Sequence, residues 1–331
     1  MLAFLAALVA AGIGYLHFIR FTTAPLGVRD AKVEVRGGES LRSVIASVRD
    51  AGVDTGNDLE WQLLAARMGV RSRMQVGEYA IKADMTPEQL LRNISTGKVI
   101  QYFFTIVEGW NMHDLRAALK SAPAMRHALN TTSDAALMEQ LGRSRTHPEG
   151  RFLPETYAYV RDSSDIDLLA RAAKAMDAAL AAAWAQRDPA LPLKTPHEAL
   201  ILASIVEKET GIPDERARIA GVFVRRLQAG MKLQTDPSVI YGLGGSYDGD
   251  IRKRDLYTDT PYNTYTRTGL PPTPIAMPGR ASLQAATRPA PGDAMYFVAS
   301  GNGGHVFSAT LAEHNAAVAR YLKLQRERRA Q

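Results

Sequence analysis

The sequence predicts an α+β protein in three parts: an N-terminal transmembrane helix, a small βααβ domain and a larger mixed α+β domain. Three observations predict it. Leu2–Ile19 is an apolar run without a charged side chain, close to the shortest length that spans a bilayer. Between Lys32 and Ile81, two alternating strand patterns enclose two helical ones. Beyond them, helical periodicity alternates with short strands bounded by Gly and Pro. The chain has 331 residues, 46% of them hydrophobic, which is enough for one large or two ordinary domains with proper cores.

Charge and cysteine usage narrow the chemistry. Lys plus Arg number 40 against 34 Asp plus Glu, a net charge of +6. So modest an excess suits an anionic polymer or a membrane surface as readily as nucleic acid. The basic residues are dispersed, so a nucleic-acid partner is not predicted. The absence of cysteine excludes disulfides, Cys-based zinc sites and thiol nucleophiles. No HExxH, Gly-x-Ser-x-Gly or P-loop pattern occurs, and the seven His form no close pair, so no metal and no cofactor are predicted.

Residues 1–21 read as a retained anchor. A cleaved signal wants basic residues before the apolar run and small residues after it. Here none precede it, and Leu16–Phe21 is bulky. Arg20, Arg29 and Lys32 follow the run and, taken alone, put the body on the cytoplasmic side. Residues 22–30 read as a linker. In residues 31–98, Lys32–Arg36 alternates as a strand, Gly37–Ser40 supplies a turn and cap, and Leu41–Arg49 and Asp58–Met68 read as helices. Val76–Ile81 is the second strand. Thr86-Pro87-Glu88-Gln89 opens a further helix with a cap, a first-turn proline and an early acid.

Residues 99–331 form the larger domain. Val99–Val107 reads as a strand, and Asn111 caps Met112–Lys120. Glu149–Tyr157 mixes aromatics and carboxylates in a loop suited to line a groove, with Glu155 as its candidate site residue. Asp165–Gln186 is an Ala-rich packing helix. Asp214–Leu227 carries Arg216, Arg218, Arg225 and Arg226 and reads as a helix with a solvated basic face. Asp236 caps a short helix, with Pro237 at its first position. Tyr262-Asn263-Thr264-Tyr265 lies beside a Pro-rich loop and presents the flat rings, hydroxyls and amide that bind sugars. A strand pair, Met295–Val298 and His305–Phe307, and a helix, Leu311–Gln325, close the chain.

His197–Thr210 is the helix with chemistry. Thr195-Pro196 supplies its cap and first turn. At about 100° per residue, Glu209 falls on the stripe of Leu202, Ile205 and Val206, whereas Glu207 falls on the opposite side with Leu200, Ala203 and Ser204. A carboxyl ending an apolar face would be kept protonated by burial, as a general acid must be; the alternative is a helix-end acid that forms a salt bridge.

Several linked motifs carry a resemblance. Ile205–Thr210, Leu233–Gly242, Tyr262–Tyr265, Gly269–Pro272 and Gly303–His305 resemble, in order and spacing, the YceG-like endolytic murein transglycosylases. Val-x-Val-x-x-Gly-x-Ser-Leu and Gly77-Glu78-Tyr79 in residues 31–98 resemble a LysM-like glycan-binding domain. The resemblance implies a single-pass inner-membrane protein with a periplasmic body, against the charge reading above. It implies cleavage of the MurNAc–GlcNAc β-1,4 bond in nascent peptidoglycan strands, leaving 1,6-anhydro-MurNAc ends and helping to terminate strands beside peptidoglycan synthases. It puts the catalytic general acid, then base, on Glu209. Gln234, Asp236, Tyr262, Asn263, Thr264, Tyr265 and Glu155 are candidates for substrate binding. Where the family often has Phe-Pro-Asp-Thr-Tyr, this chain has Leu153-Pro154-Glu155-Thr156-Tyr157. A non-catalytic glycan-binding scaffold and a simple muramidase hydrolase are the alternatives.

Overall fold

The computed structural model describes residues 1–330, a mixed α+β architecture that begins with an apolar helix. The chain divides into two compact units. One comprises residues 1–103, 123–125 and 158–163, and the other residues 104–122, 126–157 and 164 onward.

In the first unit, α1 (Leu2–Thr23) has 22 residues, and its most apolar 18-residue window has a mean hydropathy of 2.1. At about 1.5 Å per residue it is long enough to cross a bilayer. Its end is not loose. Phe21 meets Trp61 edge to face at 5.6 Å. Gly56, at φ +67°, comes so close that a Cβ there would sit 2.2 Å from the Phe21 ring. Within residues 22–30, expected to be a linker, Leu26 is buried and donates to the Met85 carbonyl at 2.8 Å.

β1 (Ala31–Val35) and β2 (Gly77–Ile81) pair antiparallel with Val33 opposite Tyr79. Between them run α2 (Leu41–Asp50) and α3 (Asp58–Arg67), and after them α4 (Pro87–Thr96). Asn57 with Glu60 and Thr86 with Gln89 form reciprocal capping boxes that satisfy the free N–H groups at the starts of α3 and α4. Trp61, Leu64, Tyr79, Leu90 and Ile94 fill the core. Glu78 is also buried. Burial pushes its carboxyl up, but bonds from Tyr102 and Arg161, with Lys32 at 3.8 Å, outweigh this and hold it below the usual carboxylate range.

β3 (Tyr102–Thr105) pairs with β4 (Thr156–Tyr159), a strand where the sequence suggested a loop. The second unit then contains α5 (Met112–Leu119), α6 (Asp134–Gln140), α7 (Asp165–Ala185), α8 (Pro196–Glu209), α9 (Pro213–Gln228), α10 (Asp236–Leu243), α11 (Lys253–Tyr257), α12 (Arg280–Thr287), the antiparallel pair β5 (Tyr296–Ala299) and β6 (His305–Ser308), and α13 (Leu311–Ala330). α8 packs against α7, α9, α10 and α12. It is apolar on all sides, and Ala199–Val206 are all buried. Each fully buried Leu, Ile or Val contributes about 1.5–3 kcal/mol, so packing rather than helix propensity holds this helix. The single stripe inferred from the wheel is therefore too narrow. Glu149 is drawn inside as well, at 1% exposure, not along a groove. Its Oε2 accepts from Met112 N and Tyr241 Oη, both at 3.1 Å, while its Oε1 has no protein partner among the described residues. Burial pushes its pKa up to about 7.

Candidate active site

The site forms where α8 ends. Thr195 caps its start by accepting from Glu198 N at 3.2 Å. At its other end the two carboxylates diverge, as a turn of about 200° between them requires. Glu207 accepts from Gly279 N at 2.8 Å and stands 3.7 Å from the Arg216 guanidinium. Glu209 lines a cleft of about 490 Å³ together with Arg226, Gln234, Asp236, Tyr265, Tyr296, His314 and Asn315.

Glu209 is half-buried by surface area, but protein surrounds its carboxyl closely enough for lost hydration to dominate. Burial pushes its pKa up to about 7. Thr235 Oγ1 opposes this by donating to Glu209 Oε1 at 2.5 Å, the neighbouring negative charge of Asp236 adds to the rise, and His305 and Arg226 reduce it. The group is thus poised to hold or release a proton near neutrality.

The Thr235 hydroxyl is set by a strained loop. Gln234 has a φ of 53°, a left-handed conformation that costs a non-glycine residue about 1–2 kcal/mol. Hydrogen bonds to Thr264 maintain it. Gln234 N donates to Thr264 O at 3.2 Å, and Thr235 N donates to Thr264 Oγ1 at 3.0 Å. Ser238 Oγ adds a 2.9 Å contact to the same hydroxyl. Asp236 is the first residue of α10 rather than its cap, and its side chain makes no capping bond. It accepts instead from Tyr265 Oη at 2.6 Å. Burial and that carboxylate push the Tyr265 hydroxyl up, keeping it neutral.

Of the residues singled out from the sequence, Glu209, Gln234, Asp236 and Tyr265 share the cleft. Four others lie elsewhere. Thr264 is buried behind the 234–235 loop. Asn263 is buried and fully engaged. Its Nδ2 donates to the carbonyls of Asp255, Leu256 and Thr258 at 2.7–3.2 Å, and its Oδ1 accepts from Tyr265 N at 2.8 Å. Tyr262 stacks edge to face on Tyr241 at 4.8 Å and shares a 2.9 Å bond with Thr273 Oγ1. Glu155 forms an exposed pair with Arg280 at 2.7 Å.

The basic face of α9 is not simply solvated. Arg216 faces Glu207, Arg218 lies 4.0 Å from the Phe307 ring centroid, and Arg225 donates to Ala294 O at 2.7 Å. Arg226 is buried in the cleft wall. A wheel could have found it, because Ile219, Val222, Phe223 and Arg226 follow the i, i+3, i+4, i+7 stripe. Glu215 lies in none of the motifs, and Thr235 and His305 stand in them without an assigned role. Glu215 accepts from His305 N at 2.8 Å, pairs with His305 Nδ1 at 2.7 Å and takes a 3.4 Å bond from Thr210 Oγ1, next to Glu209. Burial raises its pKa, but the bonds from His305 more than reverse the effect. The His305 contacts span 90 residues of sequence and follow no local pattern.

The YceG-like family model matches residues 33–320. An endolytic murein transglycosylase of Bacillus subtilis (strain 168) is 29% identical over 313 residues, covering 89% of this chain and 86% of its own. One of Streptococcus pneumoniae serotype 2 (strain D39) is 26% identical over 97% of this chain, which spans only 64% of that relative's length. Among solved structures, a yceG-like protein of Listeria monocytogenes superposes with a TM-score of 0.56 at 28% identity, covering 87% of this chain and 98% of its own.

Proposed function

Because the chain belongs to the YceG-like family, we propose that it is a membrane-anchored endolytic murein transglycosylase with Glu209 as its single general acid and base. The observation that carries this reading is the Glu209 carboxyl, with a pKa of about 7, on the wall of an open cleft.

The substrate is the MurNAc–GlcNAc β-1,4 bond of nascent peptidoglycan strands. Protonated Glu209 donates to the glycosidic oxygen as the C1–O bond breaks. The C6 hydroxyl of the same MurNAc attacks C1 and gives its proton to the ionised Glu209, which restores the acid and leaves a 1,6-anhydro end. An attacking group already within the substrate needs no activated water. Asp236 lies close enough to Glu209 to ease the positive charge that develops on the sugar, and Tyr265 orients Asp236. α1 anchors the chain in the inner membrane with its body in the periplasm, beside peptidoglycan synthases. The small unit, with its β1–β2 pair and helices, serves as a LysM-like glycan-binding domain.

The proximity of Asp236 to Glu209 also favours a second reading, a muramidase in which Asp236 activates water. The test is to incubate the full chain, in detergent, with uncrosslinked glycan strands and to examine the new ends by mass spectrometry. Anhydro ends support transglycosylation, reducing ends support the muramidase, and uncut strands leave only a glycan-binding scaffold. Glu209→Gln should lower kcat at least ~100-fold, the low end of general acid–base contributions. Glu207→Gln, which keeps its bond from Gly279 N, should stay within about threefold of the parent, since it removes no general acid. The opposite ranking would sink the assignment.

A further inference from the structure

Arg226 is a cation enclosed by protein with no carboxylate in ion-pair contact among the described residues; Glu209, in the same cleft, acts on it only at longer range. It is 7% exposed. Its Nε donates to Met295 O at 2.7 Å, and its Nη1 donates to Leu233 O at 2.8 Å and makes longer contacts with Lys232 O and Gln234 Oε1. These are dipoles, not charges. Among the described residues no carboxylate lies within 4.0 Å of the guanidinium, and Nη2 has no hydrogen-bond partner. Nη2 is not sealed off either. Arg226 lines the Glu209 cleft, so what remains accessible opens there. The Tyr296 ring, 5.1 Å away, offsets part of the lost hydration without neutralising the charge.

A buried charge left unpaired is costly, and a guanidinium pinned at Nε and Nη1 presents its remaining nitrogen, Nη2, in a fixed direction. That arrangement suits an incoming oxygen with carboxyl character, because charge-assisted bonds from Arg are short and directional. The polymer in the reading above has one such group beside the bond to be cut. Each muramyl sugar carries a lactyl arm, a free carboxylate in peptide-free strands and an amide where a stem peptide is attached. Resting on that reading, we propose that Arg226 is a specificity-determining residue whose Nη2 binds the carboxyl-derived oxygen of the muramyl lactyl arm in the Glu209 cleft.

The decisive experiment varies the substrate and leaves Arg226 intact. The full chain carrying Glu209→Gln is titrated with three probes: peptide-free murein strands, peptide-bearing strands, and peptide-free strands whose lactyl carboxyls have been reduced to alcohols. Binding of peptide-free strands about tenfold tighter than reduced ones identifies the carboxylate as the ligand, a difference of about 1.4 kcal/mol. A comparable advantage for peptide-bearing strands identifies the amide oxygen. Equal binding of all three overturns the inference and leaves the murein reading standing. No binding of any strand, with no cleavage by the unsubstituted protein, overturns both. Arg226→Gln supplies the second measurement. It should raise KM for the preferred strand about tenfold, with kcat within threefold and the preference over reduced strands erased. An equal loss on all strands, accompanied by a lower Tm, would mean that Arg226 only braces the Met295 and Leu233 carbonyls.

Discussion

Replacing Thr235 by Val tests the proton economy of the site through a single atom. Thr235 is 1% exposed, and Val has nearly its shape, so the substitution creates no cavity and leaves the backbone bond from Thr235 N to Thr264 in place. What it removes is the 2.5 Å bond into Glu209 Oε1. Hydrogen bonds to a charged acceptor contribute about 1.5–3 kcal/mol, and one pKa unit corresponds to about 1.4 kcal/mol. Because the bond favours the ionised carboxylate, its loss raises the Glu209 pKa from about 7 to roughly 8–9. A general acid must start protonated, so kcat/KM of the parent protein should fall as pH rises through about 7. In Thr235→Val this basic limb should move up by about one to two pH units, with the rate at pH 6 little changed. The assay is release of soluble glycan from murein by the full chain between pH 5 and 10. A basic limb that stays in place, or moves to lower pH, would refute the coupling between Thr235 and Glu209.

Two further outcomes concern stability. Glu149 has its pKa raised from 4.5 to about 7 by burial, so the folded protein holds a proton there that the unfolded chain has released. Stability from this group is full below pH 4.5, declines as pH rises from 4.5 to 7, and is lost above 7, a change of about 3 kcal/mol. Glu149→Gln cannot ionise, so chemical denaturation at pH 4.5 and 8 should show the variant gaining about 3 kcal/mol on the parent across that interval. A constant gap would mean that Glu149 is already ionised in the fold. Asn263→Ala strands three part-buried carbonyls and the Tyr265 N–H, and should cost about 3 kcal/mol by denaturant titration. A loss of activity without a loss of stability would instead point to contact with substrate.

The separation of Glu209 from Glu207 was legible because both lie on one regular helix, where angular position follows from residue number. Arg226 was legible by the same rule, but its place among four arginines suggested solvent. Asn263 shows why proximity to aromatics is a weak guide. The sequence puts it between two tyrosines, yet its amide turns inward and is used up by the carbonyls of Asp255, Leu256 and Thr258. α12 escaped notice for another reason. It is eight residues long, packs on α8 and buries mostly small side chains such as Ser282, Ala285 and Ala286, so it lacks the bulky stripe that marks a buried helix. The Glu215–His305 contact joins residues that only tertiary packing brings together.

The interleaving of the two units has a consequence for the order in which the chain can fold. Glu78 is walled in by the first unit, but the arginine that compensates it, Arg161, lies 83 residues further along. Two stretches of the other unit, 104–122 and 126–157, come before it. A chain made from its N-terminus at about 5–20 residues per second therefore completes the small unit's framework several seconds before Glu78 meets Arg161. Until residues 158–163 arrive, the small unit is an unfinished fold whose buried acid has Tyr102 and Lys32 but not Arg161 to meet it. A ribosome stalled near residue 150 should present it open to protease, and one stalled beyond residue 200 should present it closed.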